Sequence, residues 1–246
     1  MDVRITRVRV TDDPHHRNTT IPAPALHTVE DRGPPAQWHG RCVCYIIFVE
    51  EMLVDHVSEF ITAVQDAIGR ADAYGFAIVN GGCASEALDE LMVIASMAGL
   101  GSVQTGLSLL LIMAGLVGDR AGWRLAGCAG LAAFALSGLA AQGAKMVWSR
   151  PRPLLQLYEV RFVDGPLFAN SFPSGHAMTS FAVMVACSVF VPRLRYPLIG
   201  VAAACAVSRV YLGVHFPLDV IFGSFAGVLI GTASARLVRA GFARQS

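Results

Sequence analysis

Charged side chains are scarce in this chain, at 15% of its 246 residues, against roughly 25% in an ordinary soluble domain. Basic and acidic residues also nearly cancel, giving a formal net charge of +1. A general nucleic-acid binder needs a cationic surface that releases counterions, so this balance disfavours that class of protein. The amino terminus has no apolar stretch of the kind that a secretory signal requires. We therefore expect membrane entry to depend on internal segments.

The six cysteines show no CxxC pair, the spacing that is typical of many metal and redox sites. Three of them lie inside apolar runs, where a thiol behaves as a small buried hydrophobic group. No carboxylate cluster or cysteine–histidine set suggests a metal ligand set either. The sequence therefore predicts a protein without a metal or another cofactor.

Apolar residues make up 54% of the sequence. Residues 1–90 carry seven basic and fourteen acidic side chains, whereas residues 91–246 carry twelve and four. The charges of the second part lie between long uncharged runs, the pattern of a multi-span membrane domain. Each of five runs is predicted to form a membrane-spanning helix: Leu91–Gly118, Leu125–Ala144, Gly165–Pro192, Tyr196–Ser208 and Val220–Ala235.

The predicted fold is therefore all-α, a bundle of about five transmembrane helices. An amino-terminal segment of different composition precedes this bundle. Residues 1–41 hold five of the twelve prolines and no lasting helical or strand period, so we expect disorder there. Their composition also suggests a mis-assigned start, with Met52 as one alternative. Residues 42–90 are expected to form an amphipathic interfacial helical region, because apolar residues recur at helical spacing among acids. The transmembrane core is assigned to residues 91–238 and a cytoplasmic tail to residues 239–246.

Glycines recur at every fourth position of the last apolar run, at Gly223, Gly227 and Gly231. They place three bare backbone patches on one face of a helix, which lets another helix approach closely in lipid. Packing inside one chain is favoured over a dimer interface, because a compact bundle also needs close contacts.

Three clusters of polar and charged residues flank the apolar runs, where such residues are costly and are therefore candidates for function. The first begins with Lys145 at the end of the second run. Arg150 and Arg152 follow, and the proline after each arginine places it on an extended loop. For this cluster alone, interfacial snorkelling of the long side chains is an equal alternative.

The second cluster is the turn that precedes the apolar part of the third run. Ser174 can cap the helix that begins there, and the free backbone N–H groups of the first turn, with that of Gly175 among them, would face an anion. His176 lies beside that anion. A lone histidine at a helix start is more often structural than catalytic, unless a second histidine supplies a complementary role.

The third cluster supplies that second histidine. Pro217 suits the first position of the last helix, so Asp219 falls in its first turn. This carboxylate can accept a hydrogen bond from one ring nitrogen of His215 and leave the other nitrogen free as a nucleophile. Arg209 adds a fixed cation at the end of the preceding run.

Alternating spans place all three clusters at the same membrane face. Lys145, Arg152 and Arg209 then form a cationic cradle, and the two histidines are available for nucleophilic and acid roles. Such a site fits a phosphoryl group, whose oxygens carry spread negative charge in the transition state.

In these residues the sequence resembles the type 2 phosphatidic acid phosphatase superfamily, which is related to the vanadium haloperoxidases. The signature of that family is K-x6-RP, PSGH and SR-x5-H-x3-D, and every position of it is filled here. In chain order the signature reads Lys145 to Arg152-Pro153, Pro173-Ser174-Gly175-His176, and Ser208-Arg209 to His215 to Asp219. The resemblance extends over residues 91–238.

The resemblance implies a role for each signature residue. His215 would attack phosphorus to give a phosphohistidine, Asp219 would orient its imidazole, and His176 would protonate the departing oxygen. The residues that would hold the phosphoryl oxygens are Lys145, Arg152, Ser174, Gly175 and Arg209. Arg150 is outside the signature and either touches a diphosphate or lipid headgroup or is a plain interfacial arginine.

The implied function is metal-independent hydrolysis of a lipid phosphate monoester or diphosphate. The alternatives are a vanadate-dependent oxidoreductase like the haloperoxidases, and a non-catalytic membrane transport or scaffold protein of the same fold. The partners expected are the lipid substrate and membrane lipids, with no nucleic acid. Loops on the face away from the motifs are rich in arginine, so the positive-inside rule makes that face cytoplasmic. We therefore expect a multi-pass protein of the inner cell membrane whose site faces the extracytoplasmic side.

Overall fold

The computed structural model describes residues 6–9, 41–163 and 170–244, with side chains from residue 52 onward. Its helices, in chain order, are α1 (Arg41–Ala77), α2 (Glu86–Met97), α3 (Gly101–Val117), α4 (Ala121–Val147), α5 (Pro153–Gln156), α6 (Gly175–Phe190), α7 (Arg195–Tyr211) and α8 (Pro217–Ala243). Its strands are β1 (Thr6–Arg9) and β2 (Glu159–Phe162).

The described chain divides into two units. The smaller one contains α1 up to Ala71, and the larger one contains β1 and the residues from Asp72 onward. In the smaller unit the apolar stripe of the predicted amphipathic helix is exposed, with Phe60 at 70%. In the larger unit, α1 ends in a π-helical turn, Ile78–Gly82.

Each of the five apolar runs carries a helix, but the lengths of these helices differ. α4 and α8, with 27 residues each, are long and apolar enough to cross a membrane. α2 and α3 meet that criterion only as a pair that is bent by 59°, so the first run is not one straight helix. α6 has 16 residues and is shorter. The described part of the chain therefore has two candidate membrane spans, or three if the bent pair is one span.

α6 lies at the centre of the bundle and packs against α4, α7 and α8. The glycine stripe of α8 makes its contact with α6 possible. A Cβ atom at Gly227 would lie 2.3 Å from the carbonyl oxygen of Met178, and one at Gly231 would lie 2.4 Å from that of Ala182. Gly223 faces the start of α6 in the same way. The stripe therefore serves packing within the chain, as predicted.

The two ends of the bundle differ in character. At the end away from the predicted site, the carbonyl oxygen of Phe190 lies 3.1 Å from a Cβ atom built at Gly122, at the start of α4. The guanidinium of Arg239, near the end of α8, lies 5.4 Å from the centre of the Phe190 ring. The start of α4 and the ends of α6 and α8 therefore meet there, and the starts of α6 and α8 lie at the other end.

Two short strands add a feature that the all-α prediction lacks. β1 pairs with β2 in an antiparallel sheet. The prediction of disorder for residues 1–41 is therefore wrong for Thr6–Arg9, where β-branched residues alternate with arginine at the period of a strand. Of the rest of that segment, Arg41 is the first residue of α1, and the other residues lie outside the described part of the chain. At the other end of the chain, α8 continues to Ala243, past the predicted core boundary at residue 238.

Candidate active site

The three predicted clusters meet at one end of the bundle, at the end of α4, the start of α6 and the loop between α7 and α8. Nη1 of Arg152 lies 3.5 Å from Nε2 of His215 and donates a hydrogen bond of 2.7 Å to the carbonyl oxygen of Val214. This contact joins the first cluster to the third. The N–H of Ser174 donates to the carbonyl oxygen of Asp219 over 3.0 Å, which joins the second cluster to the third.

His176 belongs to the same group of charges. Its electrostatic partners come from α4, α7 and the loops around the site: Arg209, His215, Lys145 and Arg152. On its other side the imidazole packs against the break between α2 and α3. A Cβ atom at Gly99 would lie only 2.3 Å from Cδ2 of His176. The bend in the first apolar run therefore forms a wall of the site.

His215 is buried, and its two ring nitrogens face opposite surroundings. Nδ1 lies 3.6 Å from Oδ2 of Asp219, which is beyond ordinary hydrogen-bond distance. The hydroxyl of Ser171 lies beside both groups, since its Oγ is 3.4 Å from Nδ1 and donates to Oδ2 of Asp219. The same Oδ2 accepts the N–H of Phe216 over 2.9 Å. Nε2 is left on the side of Arg152. The sequence predicted a hydrogen bond from a ring nitrogen of His215 to Asp219, and at 3.6 Å the two groups face each other without forming it.

Burial lowers the pKa of His215 to about 4. The nearby Asp219 carboxylate opposes this pKa shift, whereas the charges of Arg152 and Arg209 reinforce it. The ordinary pKa of histidine is about 6.5, so at pH 7 this imidazole is neutral and one of its nitrogens carries a lone pair.

Cationic and neutral donors surround the Nε2 side of His215. Arg152 and Arg209 are both buried, and Lys145 in the last turn of α4 is half-buried. Ser174 occupies the capping position of α6, but its side chain makes no capping hydrogen bond. The hydroxyl is buried and has no hydrogen-bond partner among the described residues. A Cβ atom at Gly175 would meet nothing within 4 Å, so this part of the cradle is open.

Arg150 makes two contacts that were not predicted from the sequence. Its Nη1 donates to Oδ1 of Asp219 and its Nη2 donates to Oδ2 of Asp72, both over 2.6 Å. Burial would lower the pKa of Arg150, but the hydrogen bond to Asp72 and the charge of Asp219 raise it. The contact of Asp72 with Arg150 could not be predicted from the sequence, because Asp72 lies far from the signature along the chain. Only the tertiary structure brings it to the site.

Two further residues near the site were also missed. Ser96 of α2 accepts a hydrogen bond from Nη1 of Arg209. Asn170 donates from Nδ2 to the carbonyl oxygen of Lys145 over 2.9 Å, which ties the loop before α6 to the end of α4. A polar side chain within or beside an apolar run is the signal that would have found them.

The described residues contain no group of three or more histidine, cysteine, aspartate or glutamate side chains that could hold a metal ion. Of the described cysteines, Cys187 and Cys205 are buried, and Cys83 and Cys128 are exposed, all with free thiols. The positive charges that the described side chains bring to the site are the guanidinium groups of Arg152 and Arg209 and the ammonium group of Lys145.

The fold and the site define a helical membrane protein in which a buried histidine–aspartate pair borders a cationic cradle. Residues 126–242 match the model of the PAP2 superfamily. This match confirms, for that part of the chain, the resemblance that the signature predicted.

Known relatives have similar segments. The chain is 33% identical over 108 residues to a lipid A 1-phosphatase of Rhizobium etli, which is 41% of this chain and 47% of that protein. It is 30% identical over 110 residues to an undecaprenyl-diphosphatase of Sulfolobus acidocaldarius, which is 44% of this chain and 53% of that protein. The matches thus span about half the length of these two relatives.

The solved structure of a transmembrane PAP2 type phosphatidylglycerolphosphate phosphatase from Bacillus subtilis has the same fold. The two chains are 26% identical, and they superpose with a TM-score of 0.59 over 77% of this chain and 96% of the other.

Proposed function

We propose that this protein hydrolyses a lipid phosphate monoester or diphosphate at a membrane, without a metal ion and through a phosphohistidine. The observation that carries the proposal is the position of His215, whose Nε2 faces Arg152 at 3.5 Å while Nδ1 faces the carboxylate side of the site. The relatives named as lipid A 1-phosphatase, undecaprenyl-diphosphatase and phosphatidylglycerolphosphate phosphatase support a lipid phosphate or diphosphate as the substrate.

In the first step the lone pair on Nε2 of His215 attacks phosphorus and forms a P–N bond. The P–O bond to the lipid breaks, and protonated His176 gives its proton to the departing oxygen. In the second step a water molecule attacks phosphorus and gives a proton to His176. The P–N bond then breaks, its electron pair returns to Nε2, and inorganic phosphate leaves. The imidazolium character that develops on His215 is offset by Asp219.

The cradle has a second effect on the acid histidine. Three cations, Arg209, Lys145 and Arg152, interact with His176. A bound phosphate dianion brings two negative charges to the same place. Substrate binding therefore favours the protonated form of His176, which is the form that an acid catalyst needs.

An apolar rim beside the cradle supports a lipid as the substrate. Directly after Lys145 come Met146, 88% exposed, and Trp148, 64% exposed. The ring of Trp148 lies 5.8 Å from that of Phe172, which in turn lies 5.6 Å from that of Phe222. Aromatic side chains of this kind are enriched at membrane interfaces. A lipid whose chains contact this rim would bring its phosphate to the cationic side chains.

The membrane arrangement we propose has five crossings, made by the α2–α3 pair, α4, α6, α7 and α8. α6 spans about 24 Å at 1.5 Å per residue, somewhat less than the ~30 Å hydrocarbon core. Phe190 at its end lies among the arginine-bearing ends of α4 and α8, which the positive-inside rule assigns to the cytoplasm. His176 at its start would then lie just inside the outer boundary of the inner membrane, open to the extracytoplasmic side.

The test is phosphate release by the detergent-purified protein, in the presence of a chelator, from a panel of lipid phosphates and diphosphates. We expect activity in wild type and a loss of at least about 10³-fold in His215→Ala, because the nucleophile is absent. His56→Ala is the matched control, since His56 is exposed and lies in the smaller unit.

Two results would contradict the proposal. Dependence of wild-type activity on an added divalent cation would exclude the metal-independent mechanism. A folded wild type that releases no phosphate from any lipid would favour the non-catalytic alternative, and halide oxidation on addition of vanadate and peroxide would favour the haloperoxidase-like one.

A further inference from the structure

A chain of charged side chains, Asp219–Arg150–Asp72, extends from Asp219, and its two carboxylates are buried. Arg150 uses both arms of its guanidinium, one on Oδ1 of Asp219 and one on Oδ2 of Asp72. Oδ1 of Asp72 in turn accepts the N–H of Leu218 over 2.8 Å. The guanidinium also stacks on the ring of Phe216, 4.4 Å from its centre. Three segments that are distant in sequence, the end of α1, the loop after α4 and the start of α8, are thereby fixed to one another.

These contacts determine which way the Asp219 carboxylate faces. Because Arg150 occupies Oδ1, the oxygen that remains for the His215 side is Oδ2, which also accepts from Ser171 and Phe216. The side chain of Asp72 is 1% exposed, so it is not a solvent-facing partner. The backbone of Arg150 adds to the frame, since its carbonyl oxygen accepts the N–H of Ser171 over 2.8 Å.

The same three side chains also determine the net charge on the Nδ1 side of His215. Asp72, Arg150 and Asp219 together carry one negative charge, which is enough to offset an imidazolium that forms during the reaction. Without the guanidinium, two buried carboxylates would lie on that side and would favour protonation of His215 before the reaction. Protonation removes the lone pair that a nucleophile needs.

We propose that Arg150 and Asp72 are positioning residues, which hold the Asp219 carboxylate toward His215 and keep that imidazole neutral and aligned. Neither residue touches the substrate in this proposal. The inference rests on the proposed phosphohistidine function and assigns Arg150 a role different from a headgroup contact.

The test uses Arg150→Met, Asp72→Asn, the double variant, and Arg124→Met as a control. Arg124 is a matched arginine because its partner Asp119 is 94% exposed, so that ion pair adds little to stability. For Arg150→Met we expect kcat to fall about 10- to 100-fold, as is typical of misaligned catalytic groups, with KM within about twofold. The double variant restores the net charge of the group but not the orientation of Asp219.

The pH profile separates charge from orientation. In Arg150→Met the acid limb of kcat/KM should move up by about one pH unit, because His215 is then easier to protonate. In the double variant the limb should return toward its wild-type position while kcat stays low. The ionisation of the substrate contributes equally in every variant and cancels in the comparison. The other ionisable groups around His215 remain unchanged in every variant: Arg152 in the loop after α4, Lys145 in α4, His176 in α6, Arg209 in α7 and Asp219 in α8.

Orthovanadate binding gives a readout that needs no turnover. Vanadate accepts a further ligand from a neutral imidazole, whereas inorganic phosphate binds through the cations of the cradle. We expect Arg150→Met to weaken vanadate binding at least about tenfold, with phosphate binding within about twofold. If wild type proved inactive on every lipid but this difference held, the proposed function would fail and the positioning role would stand.

Two outcomes would overturn the inference. A rise in KM for diphosphates in Arg150→Met, with kcat retained, would mean that Arg150 binds substrate. An unchanged acid limb together with unchanged vanadate binding would mean that the Asp72–Arg150 pair serves folding alone.

Discussion

Gly99 gives the sharpest test of the proposed acid histidine, because the space for a side chain at this position is already filled. A Cβ atom there would lie 2.3 Å from Cδ2 and 2.7 Å from Cγ of His176, and 2.9 Å from Sγ of Cys205. Relief of the closest contact requires a displacement of about 1 Å. The helix break itself is held by Gln104, whose Nε2 donates to the carbonyl oxygen of Ala98 over 3.1 Å. The imidazole should therefore be the group that moves.

The expected cost of Gly99→Ala follows from these distances. Overpacking of this kind destabilises by about 1–3 kcal/mol, and a misplacement of about 1 Å costs on the order of 10²-fold in rate. A displaced acid catalyst matters most when the leaving oxygen is a poor leaving group. We therefore expect kcat on a lipid phosphate to fall about 100-fold, and kcat on p-nitrophenyl phosphate, whose leaving group needs no protonation, to fall less than about tenfold.

The assay is the ratio of the two kcat values in one preparation. This ratio does not depend on the folded fraction, because both substrates meet the same folded enzyme. Gly106→Ala is the matched control, since a Cβ atom at Gly106 meets nothing within 4 Å and alanine suits a helix better than glycine. Equal losses on both substrates, or wild-type activity in Gly99→Ala, would refute the reasoning.

Two further predictions concern the Ser174 hydroxyl, which has no hydrogen-bond partner among the described residues, and the Tyr211 hydroxyl, which has several. Ser174→Ala should lower kcat/KM about tenfold or more, because the buried hydroxyl is free to bond a charged phosphoryl oxygen, and should leave the melting temperature unchanged or higher; unchanged kinetics would contradict this. Tyr211→Phe should lower the free energy of unfolding by about 1–3 kcal/mol with kcat within about twofold, because the phenol donates to buried Asp89 over 2.6 Å. Tyr158→Phe, at a site 87% exposed, should change neither quantity, and an equal loss in both variants would argue against the role of Asp89.

The meeting of the three clusters could be predicted from the sequence because each cluster lies at one end of a recognisable apolar run. Hydrophobic length and alternation of spans are enough to bring Lys145, His176 and His215 to one end of a bundle. Pro217 marked the start of α8 correctly, and this fixed Asp219 in its first turn. Such signals are local, so they are available without the fold.

What the sequence could not predict depends on direction and on distant contacts. Hydropathy averages composition over a window, so it predicted one continuous helix for the first apolar run. The structure instead has two helices there, with Gly99 in the sharp bend between them. Asp72 precedes the core by many residues, and only the tertiary structure brings it to Arg150. The capping role expected of Ser174 was reasonable for its position, but its hydroxyl makes no hydrogen bond to the backbone of α6.

The two sides of His215 suggest why the site needs a buried loop rather than a surface one. Formation of a P–N bond moves positive charge onto the imidazole and negative charge onto the phosphoryl oxygens. The carboxylate of Asp219 lies on the Nδ1 side and Arg152 on the Nε2 side, so the fixed charges are ordered along that movement. Such ordering is most effective where water is excluded. The turn that holds the imidazole there requires Gly213, whose φ of 83° and close approach to the carbonyl oxygen of Arg161 leave no room for a side chain.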